Sequence, residues 1–223
     1  ILLASDVGLT VKGDKLPYVS RGGLKLEKAI AAFGLTFEGK TCMDVGSSTG
    51  GFTDCMLQKG AQKVYAVDVG YGLLDWKLRN DPRVVVMERT NARLLNPEMT
   101  GGERMDFASM DVSFISIRTV LPAVRTCMKE NAHLAVLVKP QFEARREQVG
   151  KGGIVRDPKV HREVLETVIA AMPAIGLVPQ GLTVSPIKGV GGNTEFLLHL
   201  TNTELNDAAF QAERAIEDVL RFV

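Results

Sequence analysis

Cys42-Met43-Asp44-Val45-Gly46-Ser47-Ser48-Thr49-Gly50-Gly51-Phe52-Thr53 reads as a short strand, a glycine-rich turn and the start of a helix. Glycines in such a turn let backbone N–H groups approach a ligand that a Cβ would hold away. The carboxylate of Asp44 opposes a pyrophosphate guest. The spacing Asp-x-Gly-x-x-x-Gly-Gly also departs from the Gly-x-Gly-x-x-Gly dinucleotide fingerprint. An acid at the strand tip suits a ligand with positive charge, such as the amino group or sulfonium of S-adenosylmethionine. A second acid follows in Lys63-Val64-Tyr65-Ala66-Val67-Asp68. At the tip of the second strand of a βαβ unit, Asp68 is placed to grip ribose hydroxyls. Asp68 serves a nicotinamide cofactor equally well, and both acids also fit a plainer reading as residues that end strands and begin turns. The candidate cofactor contacts are Asp44, Gly46, Ser47, Ser48, Thr49, Gly50, Gly51, Phe52, Asp68 and Val69. Thr90 and Asn91, after the third strand, are placed to touch an adenine ring, although Asn91 in a turn needs no ligand to explain it.

Outward from this stretch, strand and helix alternate. The pattern predicts strands over 41–45, 63–67, 84–88, 106–111, 132–138, 179–184 and 194–200, and helices over 51–59, 73–79, 117–128, 158–175 and 203–221. An earlier helix opens near Ser20, a plausible cap, with Leu24, Ala29, Ile30 and Phe33 at helical spacing and Lys25 and Lys28 off that stripe. Such alternation implies a mostly parallel sheet covered on both faces. The link between the last two strands is too short for a helical crossover, so they are expected to run antiparallel. The expected fold class is α/β: a Rossmann-like, doubly wound, seven-stranded sheet with an antiparallel last strand.

The chain has 223 residues, 45% of them hydrophobic and 24% charged, with a net charge of +1. That suits one large globular domain with a short appendage. No apolar run approaches the roughly 18 residues of a bilayer-spanning helix, and no signal peptide opens the sequence. Ile1 in place of Met is read as a sign that more chain precedes it, with residues 1–17 as a tail or linker. Cys42, Cys55 and Cys127 form neither a disulfide framework nor a zinc pattern. A cytoplasmic setting is the resulting expectation, with the thiols as small buried hydrophobes and no metal site. Charge is unevenly spread. Residues 139–162 hold seven Lys/Arg against three acids, and residues 201–223 five acids against two arginines. A basic face of this kind suits a polyanionic substrate, or is simply a solvated surface.

Open α/β sheets bind ligands at the carboxyl ends of their strands. Asp111 ends the fourth strand and Lys139 the fifth. Glu195 begins the reversed last strand, which brings it to the same edge, and Lys25 on the opening helix is free to reach it. Two amines and two carboxylates in one place suit removal of a proton from a ribose hydroxyl as it attacks a sulfonium methyl. A lysine accepts that proton only when neutral, and a second ammonium or partial burial favours the neutral form. Lys139, leaving a buried strand, is the expected base. Lys25 would then supply the neighbouring charge and hold the target hydroxyl or its phosphate. Taken singly, each has an ordinary reading: a solvated lysine, a helix cap for Asp111, an edge-strand charge for Glu195. The loop 142–156 mixes Gly150, Gly152 and Gly153 with Arg145, Arg146, Lys151 and Arg156. It reads as a phosphate-contacting flap that closes over the site, or as a plain connection.

Several motifs together resemble the TlyA group of FtsJ/RrmJ-like ribose 2′-O-methyltransferases, whose members are also called hemolysins. They are Tyr18-Val19-Ser20-Arg21-Gly22-Gly23-Leu24-Lys25-Leu26, the 44–53 turn, Val67-Asp68-Val69-Gly70-Tyr71-Gly72, Asp111-Val112-Ser113-Phe114-Ile115-Ser116 and Val138-Lys139-Pro140-Gln141-Phe142-Glu143. Gly150-Lys151-Gly152-Gly153-Ile154-Val155-Arg156-Asp157 and Ser185-Pro186-Ile187 fit the same group. The resemblance implies a methyltransferase domain over 18–223. It implies a Lys-Asp-Lys-Glu tetrad on Lys25, Asp111, Lys139 and Glu195, with Asp111 also touching the cofactor. The implied donor is S-adenosylmethionine and the implied substrate is cytidine ribose in small- or large-subunit ribosomal RNA, held by Arg21 and the basic loop. An N-terminal S4-type RNA-binding domain is implied upstream, with residues 1–17 as its tail. A membrane-active hemolysin and a nicotinamide-dependent oxidoreductase are the competing readings.

Overall fold

The computed structural model describes residues 16–203 and 210–223. Nearly all of the expected linker and S4-type tail, residues 1–15, therefore lies outside the described residues. Seven strands form one sheet: β1 (Thr41–Val45), β2 (Lys63–Val67), β3 (Val84–Met87), β4 (Met105–Met110), β5 (Met128–Val138), β6 (Val178–Val184) and β7 (Phe196–Asn202). Their order is β3-β2-β1-β4-β5-β7-β6. All neighbours are parallel except β7, which runs antiparallel to both β5 and β6. The strand order reverses between β1 and β4, so the ligand crevice of an open α/β sheet falls at their carboxyl ends.

The α-helices among the described residues are α1 (Gly22–Phe33), α2 (Gly51–Gln58), α3 (Trp76–Arg79), α4 (Ile117–Thr126), α5 (Pro140–Glu143), α6 (Pro158–Ile175) and α7 (Ala212–Leu220). Successive strand residues point to opposite faces, and each face has its own core. On one side Cys42, Phe107 and Leu197 pack with Leu26 of α1 and Cys55 and Met56 of α2. On the other, Met43, Met110 and Leu198 pack with Leu121 of α4, Val168 of α6 and Ile216 of α7. All three cysteines are buried, and burial pushes the Cys42 thiol up to about 12.

Several boundaries differ from the sequence pattern. Ser20 does not cap α1; Arg21 holds the N-cap position without a side-chain bond. The helix expected over 73–79 is confined to Trp76–Arg79, because Asp75 caps it by accepting the Lys77 N–H. Strand β5 begins at Met128, paired with Met105 ahead of a register shift, so the preceding helix stops at Thr126. β7 runs on to Asn202 and α7 begins at Ala212, so the helix expected over 203–221 is shorter, and residues 204–209 of it lie outside the described residues.

Two glycines of the diagnostic turn serve packing. Gly50 has φ +98°, and a Cβ there would lie 2.3 Å from a Leu78 methyl. A Cβ on Gly51 would meet Ser20 Oγ at 2.3 Å and the Gly23 nitrogen at 2.8 Å. Gly51 therefore allows α1 and α2 to touch through backbone, which carries Lys25 toward the strand tips. Gly51→Ala is expected to cost about 1–3 kcal/mol through this overpacking. Urea unfolding checks it, and an unchanged midpoint would mean that α1 does not sit this close.

Candidate active site

The tips of β1 and β4 are locked together first. The Asp111 N–H donates to the Val45 carbonyl at 2.9 Å. Gly46 follows with φ +82°, and a Cβ there would sit 2.5 Å from the Asp111 carbonyl oxygen. Only a glycine combines this backbone conformation with this approach. Asp111 is thereby presented at the switch point with its carboxylate directed to the neighbouring lysines.

Four side chains from four elements meet there. Lys25 Nζ of α1 donates to Glu195 Oε2 at 2.8 Å and to Asp111 Oδ2 at 3.2 Å. Lys139, at the end of β5, brings Nζ to 2.5 Å from Asp111 Oδ1 and donates to Ser113 Oγ at 2.9 Å. Lys25, Lys139 and Glu195 are buried, at 8%, 7% and 2% exposure. The four residues expected from sequence thus form one chain, Glu195–Lys25–Asp111–Lys139. Two expectations need correction. Lys25 is not off the buried side of its helix. Nor do the two ammoniums oppose each other, because Asp111 lies between them. Burial alone would lower the Lys25 pKa, but the charges of Asp111 and Glu195 outweigh it and raise it above its ordinary value. Lys25 stays an ammonium at neutral pH. Asp111 is not a helix cap; Ser116 caps α4 by accepting the Arg118 N–H.

A cavity of about 340 Å³ opens onto these groups, lined also by Arg21, Ser47, Phe52 and Lys188. Beside it lies a cleft of about 620 Å³ with a more apolar wall from Val69, Leu73, Val112 and Ile115. Gly46, Ser48, Asp111 and Ser113 line both. Asp68, Thr90 and Asn91 line the second cleft. Asp68 accepts the Ser48 N–H at 2.8 Å on one oxygen and the Gly70 N–H at 2.7 Å on the other, and a carboxylate oxygen so engaged retains acceptor capacity for hydroxyls. The Asn91 Oδ1 accepts the Arg93 N–H at 3.1 Å, which fits its plainer reading as a turn residue. An adenosine fits the character of this cleft: apolar walls for a base, and a paired-oxygen acid for a diol.

Asp44 differs from the open strand-tip acid expected. It is 1% exposed. One oxygen accepts the Thr53 N–H at 2.9 Å and hydroxyl at 2.7 Å, and the other accepts Ser109 Oγ at 3.1 Å. Burial pushes its pKa up to about 6 against these hydrogen bonds. Asp44 still lines the smaller cavity, with Ser47, Gly51 and Phe52. Thr49 and Gly50 line neither cavity; Thr49 offers its carbonyl to the Asp75 N–H at 3.1 Å, and Gly50 makes room for Leu74 and Leu78. Of the expected basic residues, Arg21 lines the smaller cavity, while Arg145, Arg146, Lys151 and Arg156 are exposed outside both. Their loop is an internally bonded turn rather than an open flap. The Gly150 N–H donates to the Ile154 carbonyl at 3.0 Å. Asn193 accepts the Val155 N–H at 3.0 Å and donates to the Gly153 carbonyl at 2.9 Å.

Sequence reasoning passed over Ser113, Phe114, Glu143 and Lys188. Phe114 has φ +63° and is 91% exposed on the wall of the larger cleft, its ring 5.0 Å from that of Phe142. A bulky residue held at positive φ is unusual backbone, of the kind retained at functional sites. Glu143 accepts the Ser116 hydroxyl and the Ile117 N–H, both at 2.7 Å. It ties the segment after Lys139 to the segment after Asp111. The signal for both lay in the two quoted motifs, but only their charged leading residues suggested chemistry.

The model of the FtsJ-like methyltransferase family matches residues 18–202. The chain belongs to that family. A provisionally named rRNA methyltransferase, YqxC of Bacillus subtilis, is 58% identical over 195 residues, covering 87% of this chain and 69% of that protein. The 16S/23S rRNA (cytidine-2′-O)-methyltransferase TlyA of Mycobacterium tuberculosis is 46% identical over 219 residues, covering 98% and 80%. Among solved structures, a provisionally named hemolysin from Streptococcus thermophilus superposes with a TM-score of 0.87 at 50% identity, covering 94% of this chain and 77% of that one. The expected Rossmann-like methyltransferase sheet is therefore the fold of this family member, and no helix among the described residues is long and apolar enough to cross a membrane.

The buried Asp44 carboxylate makes a measurable demand on stability. Its folded pKa, about 6, lies above the ordinary 3.8. Its contribution is therefore fully present below about pH 4 and lost as pH rises through about 6. Asn at this position can keep the Thr53 and Ser109 bonds without charge. Asp44→Asn is expected to gain roughly 2–3 kcal/mol relative to the parent between about pH 4 and pH 8. Parallel denaturation profiles for the two proteins across that range would contradict the burial argument.

Proposed function

We propose that this protein transfers a methyl group from S-adenosylmethionine to the 2′-hydroxyl of a cytidine ribose in ribosomal RNA. The observation that carries the reading is the chain Glu195–Lys25–Asp111–Lys139, three of its members buried, beside a cleft that has an apolar wall and the doubly engaged Asp68. The M. tuberculosis relative, a 16S/23S rRNA (cytidine-2′-O)-methyltransferase, supports the substrate. Asp68 would hold the donor's ribose and the Val69–Ile115 wall its adenine. Asp44, at the inner end of the smaller cavity, would face the cationic end. When bound, the donor supplies a methyl already activated on sulfonium, so alignment rather than nucleophile strength provides most of the acceleration.

The residues then divide the remaining work. Lys139, in its neutral form, would take the proton that leaves the ribose oxygen as the new C–O bond forms and the methyl–sulfur bond breaks, its electron pair staying on sulfur. Asp111 and Ser113 hold that amine in place from two sides. Lys25 keeps its proton, held by Asp111 and Glu195, and its fixed charge stabilises negative charge developing on the ribose oxygen. Phe114 offers a flat apolar face at the cleft wall, suited to a nucleobase turned out of its stack. Arg21 and the basic turn 145–156 extend the surface toward phosphates. An S4-type domain upstream would add RNA affinity to the full-length protein.

The test is transfer of labelled methyl to ribosomal RNA or subunits by the full-length protein. Lys139→Ala is expected to lower the rate about 10²–10⁴-fold while calorimetry shows donor affinity little changed. Parental rates in that variant would remove Lys139 as the base, and methylation absent from RNA altogether would remove the substrate assignment.

A further inference from the structure

Three lysines line the smaller cavity, and only two are neutralised there. Lys25 and Lys139 are held by the carboxylates of Asp111 and Glu195. Lys188 is held by a neutral group, donating to Thr194 Oγ1 at 2.7 Å. It forms no ion pair with a carboxylate among the described residues, and neither does Arg21, which lines the same cavity. Thr194 is buried, 5% exposed, and directly precedes Glu195. The loop carrying Lys188 is built rigidly around that carboxylate. The Ser185 N–H donates to the Glu195 carbonyl at 2.9 Å, and the Gly189 N–H to the Asn193 carbonyl at 2.8 Å. Ser185 Oγ donates to the Ile187 carbonyl at 2.8 Å. At Gly189 the backbone approaches Glu195 so closely that a Cβ would lie 2.1 Å from its Oε1. A larger residue at 189 would displace either Glu195 or Lys188. The loop thus fixes an uncompensated cation at the cavity mouth, beside the acid that anchors Lys25.

We propose that Lys188, steadied by Thr194 and assisted by Arg21, is an anion subsite for the backbone phosphate next to the ribose being methylated. The inference rests on the function proposed above and moves to Lys188 the phosphate contact expected of Lys25. Lys25 is committed in position to two carboxylates, whereas Lys188 has no carboxylate partner among the described residues. A phosphodiester held at this point fixes the ribose relative to Lys139, and makes a nucleotide within a strand a better substrate than a free nucleoside. The rival anion is the carboxylate of the donor itself, and the two are separable by experiment.

Lys188→Gln and Lys188→Arg in the full-length protein are compared with the parent for binding to a ribosomal RNA fragment across a potassium chloride series, for methyl transfer, and for donor affinity. Lys188→Gln should raise the RNA dissociation constant and KM about 5- to 20-fold. It should reduce the slope of log affinity against log salt by about 0.7–1, one phosphate contact. Donor affinity and melting temperature should hold, and Lys188→Arg should restore most of the affinity. An unchanged salt slope, a loss confined to the rate at saturation, or a fall in donor affinity would each overturn the proposal. The binding series reads Lys188 even if no methyl reaches RNA. Absent transfer by the parent would instead count against the proposed activity.

Discussion

The Asp111 carboxylate is the interaction on which the site depends. Its two oxygens face two different lysines, one from α1 and one just after β5, and so join a covering helix to the sheet at its switch point. Ion pairs this buried need excellent geometry to offset desolvation. Here the geometry comes from backbone: the Asp111 N–H bonded to Val45, and a missing Cβ at Gly46 that admits the Asp111 carbonyl. Removing the carboxylate would leave Lys25 with Glu195 alone and Lys139 with the Ser113 hydroxyl alone.

Around that bridge the molecule separates two chemistries by position. On the β1–β3 side lie apolar walls and the doubly engaged Asp68. On the β5–β7 side lie lysines, Glu195 and the Lys188 loop. The residues common to both cavities, Gly46, Ser48, Asp111 and Ser113, mark where a donor and an acceptor would meet. Glu143 reinforces the junction from behind by binding the start of α4. Asp111 and Lys139 are therefore tied both through their own contact and through the helices that follow them.

Much of this was legible in the sequence. Strands buried on both faces read as apolar runs, and the acids and amines at their tips stood out against those runs. The short 185–193 link forced β7 to reverse, which brought Glu195 to the correct edge. Other features depended on contacts between distant segments. That Gly50 and Gly51 serve packing is visible only once Leu78 and α1 are in place. That Asp44 is enclosed depends on Ser109, 65 positions away. The loop 142–156 looked open from its glycines, but Asn193 fastens it from a different strand connection. Lys188 was one lysine among many until Lys25 proved to be fully paired.

The most direct measurement is a crystal structure of the full-length protein with S-adenosylhomocysteine. The account requires the adenine in the cleft beside Val69 and Ile115, the ribose on Asp68, and the sulfur at the junction of the two cavities, facing Lys139 across Asp111 and Ser113. A sulfur bound elsewhere, or a bound state in which Lys139 and Lys25 have parted from Asp111 and turned away from the cavity, would contradict it.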